Sequence, residues 1–140
     1  MEADAPIFAE GRVVRFQDVD AAGIVFFPRV LEYMSDAYVS FLAARGIHLP
    51  KVIEAASYRA PLIHAEADYR APMSFGDPIT VEVVAVMVGR TSYHLGYRIR
   101  HEDTRIAAVG QTSHVCVGVP EFRPVPIPEE LRAALENKMV

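Results

Sequence analysis

The sequence predicts an α+β protein in which a mainly antiparallel sheet curls around one long helix. Residues 29–45 have the spacing of a helix whose apolar side chains cover most of its circumference. Four segments rich in Val, Ile, Thr and Tyr follow in the second half of the chain, separated by short turn-like breaks. Because such a helix needs apolar cover on nearly every side, we expect the sheet to wrap around it.

The N-terminal part of the chain predicts a short strand, a loop and then the helix. Residues 12–16, RVVRF, are typical of a strand, and the helix extends over 29–45 with Gly46 as its C-cap. The polar residues of the helix recur at spacings of three and four on one narrow stripe: Arg29, Glu32, Asp36 and Ser40. The remaining faces are apolar, which predicts that they are buried.

The second half predicts long strands and a short final helix. The predicted strands are 62–70, 79–88, 92–101 and 106–119. Short connections between them favour antiparallel pairing. In the strand at 92–101, apolar and polar residues alternate, which indicates one buried face. After Pro120 we expect an extended segment, FRPVPIP, and then a helix over 128–138.

Composition and charge limit the classes of function. The chain has 140 residues, which suits a single domain over 1–140, and its net charge of −4 comes with no cluster of basic residues that would bind nucleic acid. Its one cysteine, Cys116, can form no internal disulfide and is typical of a small core residue. The first ten residues lack Lys and Arg, and no apolar run approaches the roughly 20 residues of a membrane span. We therefore expect a cytoplasmic protein without a membrane partner.

The sequence also gives no sign of a metal or a resident cofactor. The five histidines show no close spacing with Cys or acidic residues that would form a metal site. A Gly-rich phosphate loop, a Gly-x-Ser-x-Gly elbow and a dinucleotide fingerprint are all missing. Serine-hydrolase and oxidoreductase functions therefore have no support.

The stretch FQDVDAAGIVFFP, residues 16–28, places two carboxylates beside an apolar run at the start of the long helix. A carboxylate is costly to desolvate, so its placement beside an apolar run requires a structural or functional explanation. From the residues alone, Asp18 and Asp20 are typical of an Asx-type loop that precedes a helix. Backbone N–H groups at a helix N-terminus are free to bind an anion, and Pro28 suits the first turn because it has no N–H.

Two longer segments, RFQDVDAAGIVFFPRVLEY and HAEADYRAPMSFGDPITVEV, carry a compound pattern that a lone Asp-x-Asp would not supply. With the order of elements, they resemble the hotdog-fold acyl-CoA thioesterases of the 4-hydroxybenzoyl-CoA thioesterase-like branch, over nearly the whole chain. The matching residues are Phe16, Asp18, Asp20, Gly23, Ile24, Val25, Phe26, Tyr69, Pro72, Gly76 and Asp77. The resemblance implies a five-stranded antiparallel sheet around the helix, and homodimers or homotetramers with active sites between subunits.

The resemblance also implies the catalytic residues. Asp20 would act on the thioester carbonyl, either as nucleophile or as general base for water, and the backbone N–H of Phe27 would stabilise the oxyanion. Gly23 would allow close approach of chain and substrate. Asp18 is expected to anchor the loop instead. Related thioesterases often have His where Phe27 stands, and the aromatic residue here favours an aromatic acyl group.

The expected substrate contacts are spread along the chain. Val25 and Phe26 belong to the matching pattern, and His64 and Glu66 lie on a strand that the resemblance places at the acyl pocket of the neighbouring site. The nucleotide end of coenzyme A is expected near the turn Arg90, Thr91 and Ser92 and near Arg123. From the residues alone, His64 is equally typical of a structural side chain, and either arginine of a solvated surface charge.

The resulting hypothesis is an aromatic acyl-CoA thioesterase that needs no metal or cofactor, with hydroxybenzoyl-CoA and dihydroxynaphthoyl-CoA among the candidate substrates. One alternative keeps the fold but acts on acyl groups bound to acyl carrier protein, or on short- and medium-chain acyl-CoA. A second alternative is an acyl-CoA-binding hotdog protein that has lost catalysis.

Overall fold

The fold is a five-stranded antiparallel sheet that curves around one long helix. The computed structural model describes residues 5–137. Its strands are β1 (Phe8–Val13), β2 (Leu62–Tyr69), β3 (Pro78–Val88), β4 (Ser92–His101) and β5 (Ile106–Val115). They lie in the order β1-β3-β4-β5-β2, and all neighbours pair antiparallel. The helices are α1 (Pro28–Ala44), α2 (Leu49–Ala55) and α3 (Glu129–Glu136). The α+β prediction is confirmed.

The core lies between α1 and the inner face of the sheet. The buried residues of α1 recur at helical spacing: Val30, Tyr33, Met34, Ala37, Tyr38, Phe41 and Leu42. On β4 the buried residues alternate as predicted: Tyr93, Leu95, Tyr97 and Ile99. Burial of these two complementary faces drives the helix onto the sheet.

Packing of Met34 on α1 against β5 requires a glycine at residue 110. A Cβ atom added to Gly110 would lie 2.5 Å from the Glu66 carbonyl oxygen and 2.8 Å from the Met34 sulfur. Real Cβ atoms do not come so close to backbone oxygen, so only glycine leaves room for α1 at this point.

One flank of α1 departs from the prediction of nearly complete cover. Leu31, Ser35 and Val39 lie on that flank, and Val39 is 41% exposed. The edge strand β2 is likewise mostly exposed, including Leu62 at 54% and Ile63 at 60%. The helix is therefore covered by the sheet but left open beside β2.

Two predicted strand boundaries are wrong by several residues, and one helix was missed. The first strand occupies Phe8–Val13, not 12–16, because it pairs with β3 in that register, and Phe16–Asp18 instead form a 3-10 turn. The sequence did not predict α2. The last strand ends at Val115, because Val117 pairs with Arg59 and Pro124 outside the sheet.

The C-terminal helix is confirmed over Glu129–Glu136, and residue 138 of the predicted range lies outside the described residues. Among residues 5–137, no helix is both long and apolar enough to cross a membrane.

The two ends of the sheet hold different parts of the predicted site. The loop that contains Asp20 lies at the end where β3 starts, because Val14 and Gly76 pair there. The β3–β4 turn, Gly89 to Thr91, lies at the other end. Eleven residues of β3 separate them, which corresponds to roughly 35 Å at the rise of a strand.

Candidate active site

The Asp20 loop, residues 19–27, is a tight turn held by its own backbone. The Asp20 N–H donates to the Ile24 carbonyl at 2.9 Å, and the Gly23 N–H donates to the Asp20 carbonyl at 2.9 Å. Gly23 has φ of +81°, a conformation that glycine adopts without strain. Because the turn closes on itself, the backbone of Asp20 is fixed relative to the start of α1.

The Asp20 side chain is exposed and makes one local contact. Its Oδ1 accepts a hydrogen bond of 2.8 Å from the Ala22 N–H, an Asx-type turn. Within the part of the chain that the structure describes, Oδ2 has no hydrogen-bond partner. One oxygen therefore fixes the side chain and the other is available to a reactant.

Asp18, two residues earlier, has the opposite environment. Its carboxylate is fully buried and accepts hydrogen bonds from Tyr33 Oη at 2.8 Å and from the Arg15 guanidinium at 2.9 and 3.1 Å. Burial alone would raise its pKa, but the hydrogen bonds from Arg15 and Tyr33 outweigh this and lower the pKa to about 2. Asp18 thus connects the loop to α1, as expected of an anchor.

The start of α1 leaves one backbone donor unpaired. The Arg29 N–H donates to the Phe26 carbonyl and the Val30 N–H to the Phe27 carbonyl, while Pro28 has no N–H. The Phe27 N–H donates to no group among residues 5–137. It lies at the positive end of the helix dipole, so it is suited to an anionic oxygen.

Tyr69 fastens this end of α1 to the sheet. Its hydroxyl, at the end of β2, donates to the Phe27 carbonyl at 2.9 Å. Phe27, whose N–H is unpaired, is therefore held in place through its carbonyl group. The sequence pattern contained Tyr69 but assigned it no role, and only the Tyr-x-x-Pro spacing could have drawn attention to it.

A second loop, residues 70–77, is hydrogen-bonded to the Asp20 loop. The Val25 N–H donates to the Met73 carbonyl at 2.8 Å, and the Phe75 N–H donates to the Gly23 carbonyl at 3.3 Å. Asp77 holds this loop in turn by accepting a 2.8 Å hydrogen bond from the Ser74 N–H. The Gly-Asp part of the pattern thus stabilises the loop that supports the Asp20 loop.

Exposed aromatic residues surround Asp20. Phe16 and Phe75 contact each other with ring centroids 5.6 Å apart, and Phe26 and Phe27 do so at 5.2 Å. Phe16 is 74% exposed and Phe27 is 64% exposed. Large apolar surface exposed in one place marks a binding surface.

A cavity of about 530 Å³ opens on the uncovered flank of α1. Its walls are apolar side chains of α1, α2 and the start of β2, among them Leu31, Val39, Val52 and Leu62. Ligand pockets in proteins commonly have this size and character. No sequence motif pointed to the cavity, because its walls come from segments far apart in the chain.

Polar side chains from the core also line this cavity: Tyr38, Tyr58, Tyr97, Thr112 and His114. We call them the polar floor. Tyr97 Oη and Thr112 Oγ1 are 2.8 Å apart, and His114 Nε2 and Thr112 Oγ1 are 3.0 Å apart. The His114 ring stacks on Tyr38 at 4.4 Å between centroids. Burial lowers the pKa of His114 to about 4, so the ring is neutral at physiological pH.

The structure brings together only some of the residues predicted for the site. Asp20, Gly23, Val25, Phe26 and Phe27 share one loop. His64 and Glu66 pair with each other at 2.8 Å, and their hydrogen bond lowers the pKa of Glu66. Both alternate with Ala65, which lines the cavity, so they project from the outer face of the sheet of their own chain.

The residues expected to bind the nucleotide lie at the far end of the sheet. Arg90 and Arg123 are exposed. Their segments are close, because the Ile127 N–H donates to the Arg90 carbonyl and the Cys116 N–H donates to the Thr91 carbonyl. Ser92 starts β4 beside this turn. Within one chain, these residues and Asp20 therefore lie at opposite ends of the sheet.

The described residues contain no group of His, Cys, Asp or Glu that would hold a metal ion. The fold and the loop define the class of protein. An antiparallel sheet in the order β1-β3-β4-β5-β2 around one long helix is the hotdog fold, and a carboxylate near an unpaired helix N–H suits acyl transfer.

Comparisons with known proteins agree with that class. The family model of the thioesterase-like superfamily matches residues 14–135. A 1,4-dihydroxy-2-naphthoyl-CoA hydrolase from Synechococcus elongatus is 36% identical over 89% of this chain and 92% of its own. The chain therefore belongs to the thioesterase-like superfamily.

Solved structures give the same result. A 1,4-dihydroxy-2-naphthoyl-CoA thioesterase from Synechocystis superposes with a TM-score of 0.89 at 30% identity, covering 93% of this chain and 96% of that one. A gentisyl-coenzyme A thioesterase superposes with a TM-score of 0.80 at 26% identity, covering 89% and 99%. The hotdog fold and the thioesterase resemblance predicted from the sequence are confirmed.

Proposed function

We propose that the protein hydrolyses the thioester of an aromatic acyl-CoA to the free acid and coenzyme A. The observation that carries the proposal is the pairing, in one rigid loop, of an accessible Asp20 carboxylate with the unpaired Phe27 N–H. The relatives named as 1,4-dihydroxy-2-naphthoyl-CoA hydrolases support the aromatic acyl group.

Asp20 would act in one of two ways. As nucleophile, its carboxylate attacks the thioester carbon, the C–S bond breaks, and water then opens the mixed anhydride. As general base, it takes a proton from water, whose oxygen attacks the carbon while the thiolate leaves and is protonated. In both routes the carbonyl oxygen becomes an anion, which the Phe27 N–H would stabilise, an effect worth roughly 2.7 to 4 kcal/mol where one such donor has been removed from an enzyme.

The cavity is suited to the acyl group. Its apolar walls favour rings over charged groups, and its volume of about 530 Å³ accommodates a bicyclic aromatic. Phe26 and Val25 would contact the substrate near the thioester. The support for this placement is the apolar character of the cavity and its location along α1.

A second copy of the chain would complete each site. Within one chain, Tyr38 on the polar floor lies eleven residues beyond Phe27 on α1, or roughly 16 Å along the axis. Two copies paired antiparallel through the exposed edge β2 would bring the Asp20 end of one over the cavity end of the other. That pairing would cover Leu62 and Ile63, and we propose a homodimer or a dimer of dimers.

The same pairing would also form a binding site for the nucleotide end of coenzyme A. The turn Arg90, Thr91 and Ser92 and the nearby Arg123 would lie next to the partner's catalytic loop. Exposed guanidinium groups and turn N–H groups are suited to phosphates. His64 and Glu66, on the outer face, would contact substrate only if it crosses that surface.

The proposal is tested by thiol release from a panel of thioesters with the purified full-length protein. The panel contains 1,4-dihydroxy-2-naphthoyl-CoA, 4-hydroxybenzoyl-CoA, hexanoyl-CoA and hexanoyl-acyl carrier protein. We expect kcat/KM to be highest with an aromatic acyl-CoA. A higher value with the carrier protein, or tight binding of acyl-CoA without hydrolysis, would replace the proposal by one of the two alternatives.

A further inference from the structure

Two buried polar atoms of the polar floor have no hydrogen-bond partner in the part of the chain that the structure describes. They are the hydroxyl of Tyr58 and Nδ1 of His114. Tyr58 is 4% exposed and His114 is 5% exposed, and both line the cavity. Buried polar groups without partners are rare in native proteins because each costs free energy, so a pair in one cavity needs an explanation.

The neighbouring polar groups do not satisfy these two atoms. The hydroxyl of Tyr38 is 2.6 Å from that of Tyr93, and Thr112 serves both Tyr97 and His114 Nε2. The Ala60 carbonyl near His114 opposes the burial effect on its pKa, yet nothing meets hydrogen-bond geometry at Nδ1. The unused capacity therefore lies at Tyr58 Oη and His114 Nδ1.

The chemistry of the two atoms defines the group that would occupy the site. A phenol hydroxyl both donates and accepts, and a neutral imidazole nitrogen does one or the other according to its tautomer. An uncharged hydroxyl of the ligand can hydrogen-bond with either atom, whichever tautomer His114 adopts. A carboxylate would need a cation, and the one arginine lining the cavity, Arg59, already donates to the carbonyls of Ile53 and Tyr58.

We propose that Tyr58 and His114 form a specificity site that hydrogen-bonds a phenolic hydroxyl of the acyl group. The enzyme would then select hydroxylated aromatic acyl-CoAs over the same ring systems without the hydroxyl. This inference rests on the proposed function, and it identifies a ring hydroxyl as the feature of the acyl group that the cavity recognises.

The test measures kcat/KM for two matched pairs, 1,4-dihydroxy-2-naphthoyl-CoA against 2-naphthoyl-CoA and 4-hydroxybenzoyl-CoA against benzoyl-CoA. We expect the wild type to prefer the hydroxylated member of at least one pair. Tyr58→Phe should reduce that preference by about 5- to 100-fold, the range for loss of one specific hydrogen bond. Because the variant removes an unpaired buried hydroxyl, its Tm without ligand should not fall.

Tyr38→Phe is the matched control, since it removes a hydroxyl of the same cavity that is already paired with Tyr93. His114→Phe is the second variant and keeps the stacking on Tyr38. An unchanged preference in both Tyr58→Phe and His114→Phe, or an equal loss in Tyr38→Phe, would overturn the inference.

Binding of the free acids separates this inference from the proposed function. Calorimetry with 1,4-dihydroxy-2-naphthoate and 2-naphthoate requires no hydrolysis. Selective binding of the hydroxylated acid that is lost in Tyr58→Phe supports the site even if no thioester is cleaved. Equal binding of the two acids by the wild type contradicts it even if the enzyme is active.

Discussion

At the scale of single residues, the loop before α1 shows how two aspartates two positions apart acquire different roles. Asp18 is buried and accepts hydrogen bonds from Arg15 and Tyr33, whereas Asp20 is exposed and bonds only to its own turn. The hydrogen bonds from Arg15 and Tyr33 stabilise the negative charge of Asp18. The second keeps one carboxylate oxygen available, which a nucleophile or base requires.

Asp18→Asn tests the anchoring role through the pH dependence of stability. The folded-state pKa of Asp18 is lowered from 3.8 to about 2, so its contribution is complete above pH 4 and is lost as the pH falls toward 2. The contribution is about 2 kcal/mol, at 1.36 kcal/mol for each unit of pKa. Urea unfolding from pH 2 to pH 7 should show the variant less stable at pH 7 by at least this amount, and with a flatter acid limb. An acid limb as steep as that of the wild type would contradict the role.

Tyr69→Phe tests whether the hydroxyl positions the Phe27 peptide. Without the 2.9 Å hydrogen bond to the Phe27 carbonyl, the N–H at the start of α1 is less well placed for the oxyanion. We expect kcat to fall by about 10- to 100-fold, because small misplacements are costly in catalysis, with KM little changed. Steady-state kinetics on the preferred thioester measures both. An unchanged kcat, or a rise in KM alone, would assign Tyr69 a different role.

The residues that could be predicted from the sequence are those whose partners are close in the chain. Asp20, Gly23 and Phe27 lie within one loop, residues 19–27, so their pattern is visible in one short segment of the sequence. Tyr58 and His114 are 56 positions apart in the sequence and line one cavity only in the folded chain, so no local pattern could reveal them.

At the scale of elements, α1 and the sheet fit together because each has one continuous buried face, and the fit depends on Gly110. The added Cβ would clash with the Glu66 carbonyl oxygen and with the Met34 side chain. Strand β5 cannot move away from the Glu66 carbonyl without disturbing its pairing with β2.

Gly110→Ala should therefore destabilise the protein by about 1 to 3 kcal/mol, the usual cost of overpacking. Gly11→Ala is the matched control, because a Cβ there would lie 3.9 Å from its nearest neighbour, the Ile79 carbonyl oxygen. Chemical denaturation of both variants gives the comparison. Equal stability of the two would show that α1 does not pack against β5 as described.

The elements with strong periodicity were predicted well, and those defined by their partners were not. Helix α1 and β4 have long apolar patterns that identify them without tertiary information. The position of β1 is set by its register with β3, and the seven-residue α2 is too short to be stable without packing. Both depend on contacts that a sequence pattern does not contain.

At the scale of the whole molecule, the parts of the proposed site lie at opposite ends of the sheet. The Asp20 loop is beside the start of β3, while the polar floor and the Arg90 turn lie toward the other end. An exposed apolar edge strand between the two ends is the natural place for a second copy to pair.

Mixed oligomers test whether one site uses two chains. Asp20→Asn lacks the carboxylate that we propose as nucleophile or base, and Ser35→Trp would fill the cavity, so each variant alone should be inactive. If each site combines Asp20 of one chain with the cavity of its partner, co-expressed chains that assort at random into dimers should recover about a quarter of the wild-type activity. No recovery in a purified mixed dimer would place each site within one chain.

The most direct test of the central claim is the rate of thiol release by Asp20→Asn on the preferred aromatic acyl-CoA. Asp103→Asn is the control, because that carboxylate bonds only to Arg105 in the exposed β4–β5 turn. We predict that kcat falls by about 10²- to 10⁴-fold in Asp20→Asn, the usual contribution of an acid–base group, and stays near wild type in the control. Undiminished turnover by a folded Asp20→Asn protein would contradict the account.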